Sequence, residues 1–282
     1  MKKKICMILI AVFVAVLGTS TFFIINHYKE ANKQAELYGE LAELVNAVAQ
    51  TDAATEPAEQ IPYSEKKMLL PELAELYQQN GDLVGWISIA DTNINYPVMQ
   101  SVNEPNFYLK HGFDKAYSDY GCPYVQEDCD VQEPSDNLVI YGHHMSNGSM
   151  FAHLEKFKSK DFWSEHRMIT FNTLTDKQGY EIVAVFRTVV YTDSPEAFKF
   201  YRFIDAESAN EFDDFIAKCK ELPFYDTGVT AEYGDKLITL STCEYSRNNS
   251  RLVVVAKRIT EDGGADAAKT HAEATAEGER PN

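Results

Sequence analysis

From Ile5 to Ile25 the chain carries no charge, in ICMILIAVFVAVLGTSTFFII, and three lysines stand directly before this run. A membrane-spanning helix needs about 20 predominantly apolar residues, so the run is long enough to cross a bilayer. It exceeds the roughly 7–15-residue apolar core of a cleaved signal peptide. Gly18, Thr19 and Ser20 offer small residues for cleavage, but the length favours a retained anchor. Lys2, Lys3 and Lys4 hold the N-terminus on the cytoplasmic side. Everything after Ile25 is then expected outside the cell, and the rest of the chain must fold beside a membrane in an oxidising compartment.

The exported part begins with NHYKEANKQAELYGELAELVNAVAQ, where Leu37, Leu41, Leu44 and Val48 recur at helical spacing. That pattern predicts an amphipathic stalk of about 30 Å. TDAATEPAEQIP, small, acidic and proline-bearing, reads as a linker. PELAELYQQN predicts a short helix, with Pro71 in its first turn and Gly81 placed to stop it. β signals then dominate in LVGWISI, INYPVMQ, CPYVQ, NLVIYG, MITFNT, YEIVAVFRTVVY, KLITLS and RLVVVAKRI. Turn residues separate them, which predicts eight strands in a barrel or sandwich. Two helices interrupt the series, SMFAHLEKF and ESANEFDDFIAKCKELP, the second with Phe212, Phe215, Ile216 and Cys219 on one face. The final GGADAAKTHAEATAEGERPN has almost no large apolar residues and is expected to stay disordered.

With 26 Lys and Arg against 43 Asp and Glu, the net charge is −17. Nucleic-acid binding, which needs clustered cations, is excluded as a first reading, and so is adhesion of the exported part to an anionic leaflet. No phosphate-cradling glycine loop or dinucleotide fingerprint is present. The five cysteines are too sparse for a disulfide framework. Cys6 lies in the apolar run, Cys122 and Cys129 are near enough to pair without anything requiring it, and Cys219 belongs on a helix.

Cys243 is set differently, at the end of an apolar strand and the mouth of a polar loop, with Arg251 opening the next strand. Most strand-end cysteines are small core residues. A nearby cation, however, favours the reactive thiolate, and a guanidinium can also hold the oxyanion formed on a carbonyl. Such a nucleophile needs an acid for its leaving group, usually His. NLVIYGHHM offers His143 directly after a strand-ending glycine. A zinc site of His143, His144 and His153 is disfavoured, because neighbouring residues on extended chain point opposite ways and no fourth ligand stands at familiar spacing.

These segments resemble a known family. LITLSTC is similar to the TLxTC signature of sortases, YGHHM to their strand-Gly-His segment, and Arg251 to the third member of their triad. The likeness extends through DLVGWISIADTNINYPVMQ, NFYLKHGF and DNLVIYGHHMSNGSMF, covering roughly residues 69–259. A helix before the cysteine-bearing strand and no C-terminal membrane segment resemble class B. The resemblance implies a mainly β fold, an eight-stranded sortase-like barrel with peripheral helices. It places a cytoplasmic tip and anchor at 1–27, a stalk and linker at 28–61, the catalytic domain at 62–262 and a polar tail at 263–282. It implies a transpeptidase in which Cys243, His143 and Arg251 are catalytic, and Leu109, Tyr141, Ser241 and Glu244 touch substrate. The implied partners are surface proteins bearing an LPxTG- or NPxTN-like sorting signal, a peptidoglycan amine as acceptor, and the membrane through the N-terminal helix. Thiol, imidazole and guanidinium cover the chemistry, so no metal or organic cofactor is called for.

Two other classes stay open on residues alone. A secreted Cys/His peptidase or wall hydrolase of papain-like design would place Cys before His and on a helix, the reverse of the order here. A non-catalytic anchored β-domain would leave Cys243 merely structural.

Overall fold

The computed structural model describes residues 2–51, 67–190, 197–246 and 249–259. Of the expected linker only Thr51 lies within this range, and the expected disordered tail lies outside the described residues.

Helix α1 runs unbroken from Lys2 to Thr51, so the apolar run and the predicted stalk are one element. No proline interrupts it, and Gly18 and Gly39 each cost a helix only about 1 kcal/mol. Among the described residues α1 is the one helix long and apolar enough to cross a membrane. Its outer half docks on the domain. Tyr38, Leu41 and Val45 are buried, and the Tyr38 hydroxyl donates to Gly121 O at 2.6 Å. The Tyr38 ring meets Tyr96 edge-on at 5.4 Å. The predicted stripe is therefore rotated, since Leu44 is exposed. Two apolar stripes ride on the same turns, and the Tyr38 hydrogen bond selects which one faces inward.

Helix α2 (Pro71–Gln79) begins at its proline as expected but stops at Asn80, one residue before Gly81. Asn80 takes an extended backbone there, and its Nδ2 donates to Tyr108 Oη at 3.0 Å and Phe113 O at 2.7 Å. A buried side-chain anchor ends this helix, and no left-handed glycine is needed.

All eight predicted strands form: β1 (Leu83–Ser88), β2 (Asn95–Met99), β3 (Tyr124–Val125), β4 (Asn137–Tyr141), β5 (Met168–Thr173), β6 (Gly179–Val189), β7 (Leu237–Glu244) and β8 (Ser250–Ile259). They close a barrel in the order β1-β2-β3-β4-β7-β8-β6-β5. SMFAHLEKF becomes a 3-10 helix over Ala152–Lys158. A further short helix follows it, α3 (Lys160–Glu165), whose N-terminus Ser159 caps by accepting from Phe162 N. Helix α4 (Ala209–Glu221) buries Phe212, Phe215, Ile216 and Cys219 as its periodicity predicts. It covers β6 through Phe198, whose ring lies 5.6 Å from Phe215 and 5.7 Å from Phe186. With both faces covered, β6 and β8 are near-continuous apolar runs, lacking the alternation of half-solvated strands.

Candidate active site

Strand β4 pairs with β7 in parallel, with Tyr141 opposite Ser241, and Gly142 N donates to Ser241 O at 3.1 Å. One step on, His143 leaves the sheet level with Cys243. Strand β8 is antiparallel to β7, and there Arg251 stands opposite Cys243. Neighbouring strands lie about 4.7–4.9 Å apart, so the three residues form a row roughly 10 Å wide at one rim of the barrel. All three line a single groove of about 340 Å³. Gly142 is required for this exit, because a Cβ there would stand 2.5 Å from the Phe151 ring.

The row differs in exposure and charge. Cys243 is half-buried, neither sealed in the core nor projecting into solvent. His143 Nε2 lies 2.7 Å from Leu109 O; a carbonyl only accepts, so Nε2 carries the proton. Burial is the main cause that lowers the His143 pKa below its ordinary value. Lys110 and Arg251 push the same way, against the Leu109 carbonyl and Asp119. Arg251 keeps its charge at any working pH, and its Nη1 donates to Ser250 O at 3.0 Å. A thiol, a mainly neutral imidazole and a fixed cation around one groove suit nucleophilic acyl transfer.

The four expected substrate residues divide. Leu109, Tyr141 and Ser241 line the groove with the row. Glu244 does not; it is only 6% exposed, and Lys158 Nζ at 2.9 Å and Ser246 Oγ at 2.6 Å hold it. Burial would raise its pKa, but Ser246, Lys158 and Ser250 outweigh that and bring the carboxyl down to about 2. Thr242 also lines the groove, and like Ser241 its buried hydroxyl has no hydrogen-bond partner among the described residues. Its place beside Cys243 in LSTC was the signal that could have found it. Asn106, Cys122, Tyr124, Gln126, Glu127 and Tyr201 also line it. They come from separate loops and strands that only barrel closure brings together.

The other cysteines and histidines are not part of the row, although Cys122 lines the same groove. Cys122 and Cys129 are separate free thiols, facing Pro97 O and Asn137 O at 3.5 Å each, and burial pushes both up to about 12. His153 Nδ1 accepts from Asn93 N at 2.9 Å in the β1–β2 loop.

Residues 87–259 match the Sortase domain family. The chain is 34% identical over 193 residues to Sortase B of Listeria monocytogenes, covering 67% of this chain and 74% of that protein. To Sortase B of Staphylococcus aureus it is 29% identical over 191 residues, covering 67% and 75%. It also superposes on a solved Staphylococcus aureus sortase B–substrate complex with a TM-score of 0.70 at 25% identity, covering 83% of this chain and 99% of that one. A matched domain that spans most of the barrel, together with relatives of one named class, decides between the readings that residues alone left open: the chain belongs to the sortase family and is a class B sortase, a cysteine transpeptidase.

Proposed function

We propose that this transpeptidase is anchored by α1 with its N-terminus in the cytoplasm. On the outer face it cleaves an LPxTG- or NPxTN-like sorting signal after Thr and passes the acyl group to a peptidoglycan amine. The observation that carries this reading is the cross-strand row His143–Cys243–Arg251 on one groove. In the first half-reaction Cys243 passes its proton to His143, the thiolate bonds to the Thr carbonyl carbon, and the guanidinium of Arg251 faces the developing oxyanion. The C–N bond then breaks, and imidazolium at His143 gives its proton to the departing amine, leaving a thioester. In the second, the acceptor amine attacks that thioester, His143 takes its proton, and the C–S bond breaks to release Cys243 as a thiolate beside the imidazolium. Ser241 and Thr242 line the groove beside the row, along the path an extended peptide would take. Anchoring suits the task, because both an exported protein awaiting attachment and a wall precursor are met at the outer membrane face.

The test uses the full chain in detergent micelles, sorting-signal peptides and small amines such as triglycine, read by mass spectrometry. A thioacyl adduct on Cys243 and a new amide product that grows with amine concentration are expected, and Cys243→Ala shows neither. Peptide cleavage that ignores the amine, or no adduct with any signal, overturns the proposal.

A further inference from the structure

The residue after His143 ties the two halves of the row together. His144 Nδ1 lies 3.0 Å from Cys243 O, and because a carbonyl only accepts, Nδ1 carries the proton. In return the Tyr245 hydroxyl donates to His144 O at 2.8 Å. The two rings also meet edge-on at 5.0 Å. The loop bearing these histidines is itself closed. Phe151 N donates to His143 O at 2.8 Å, His144 bridges Met150, and Met150 N donates to Tyr96 Oη at 3.0 Å. Glu155 Oε1 stands 3.9 Å from His144 Nδ1 and is held in turn by Lys158.

The β4–β7 ladder ends with Gly142 N on Ser241 O. Past that point the His144 side chain supplies the next bond between the two strand ends. We infer that His144 is a positioning residue, bolting the loop that carries His143 to the carbonyl of Cys243 and so fixing the spacing between imidazole and thiol. Its Nδ1 proton is committed to that carbonyl, so it serves geometry and leaves proton transfer to His143. A misplacement of about 1 Å in such a site can cost up to ~10²-fold in rate. The inference rests on the transpeptidase reading above.

The experiment compares His144→Phe, which keeps a ring against Tyr245 but cannot donate, with His144→Asn, whose amide can donate. In the full chain with a sorting-signal peptide, His144→Phe is expected to lower kcat about tenfold, within the misplacement cost above, with KM within about twofold. His144→Asn recovers most of the loss. Amide hydrogen exchange at residues 244–246 rises in the Phe variant and not in the Asn variant, at matched thermal midpoints. Wild-type kcat in His144→Phe, or no recovery in His144→Asn, overturns the inference. A wild-type chain that forms no adduct on Cys243 refutes the transpeptidase reading instead. Hydrogen exchange then decides His144 alone, and unchanged exchange in the Phe variant sinks it.

Discussion

Cys243 and Glu244 are consecutive on β7, and the pleat sends their side chains to different tasks. The thiol lines the groove, while the carboxylate is drawn back to Lys158 and Ser246. The family resemblance implied substrate contact for Glu244; facing direction is what the strand decides. The folded Glu244 pKa of about 2 lies below that of an unfolded carboxyl, so its contribution is fully present above the unfolded value near 4.3. It is lost as pH falls from there towards 2. Glu244→Gln is therefore expected to destabilise the protein by about 2 kcal/mol at pH 7, with the gap closing near pH 2. Urea unfolding at several pH values measures this, and a constant gap contradicts it. Peptide KM should stay near wild type, and a large rise would return Glu244 to the groove. Cys243, His143 and Arg251 were legible because each marks a strand end beside a recognisable segment. The loop residues Asn106 and Tyr201 carried no such mark.

At the scale of elements, the strands could be read because runs such as YEIVAVFRTVVY and RLVVVAKRI are rich in β-branched and other apolar residues, with turn residues between the runs. Their order could not. The decisive pairing, β4 with β7, is parallel between segments about 100 residues apart, and nothing local in either strand names its partner. The rim also depends on Gly142, where the chain leaves β4 across the Phe151 ring. Gly142→Ala is expected to cost about 1–3 kcal/mol through overpacking, read as a lower thermal midpoint. It should also slow turnover, because His143 shifts with the strand end. Gly142→Ala combined with Phe151→Leu should recover much of both losses by making room for the added methyl. A single variant with wild-type midpoint and turnover would show that the contact is not restrictive.

Over the whole molecule, one unbroken helix joins the N-terminal apolar run to the groove with no loop between them. Its outer half was read as a spacer because its polar face dominates the composition, and periodicity alone could not show what the apolar stripe meets. In the fold, Tyr38 reaches Gly121 O, and the next residue, Cys122, lines the groove. The helix therefore braces part of the groove that His143, Cys243 and Arg251 share. Burying Tyr38, Leu41 and Val45 contributes about 1.5–3 kcal/mol each as an upper bound. A chain beginning at residue 28 keeps these contacts, whereas one beginning at residue 52 loses them. The shorter chain is expected to be less stable by roughly 3–6 kcal/mol, which for a domain of this size lowers the midpoint by about 10 °C or more. Its turnover should also fall below that of the chain from residue 28, even at temperatures where both are folded, since the groove lining at Cys122 loses its support. Equal midpoints and equal turnover in the two chains would return the helix to the role of a spacer.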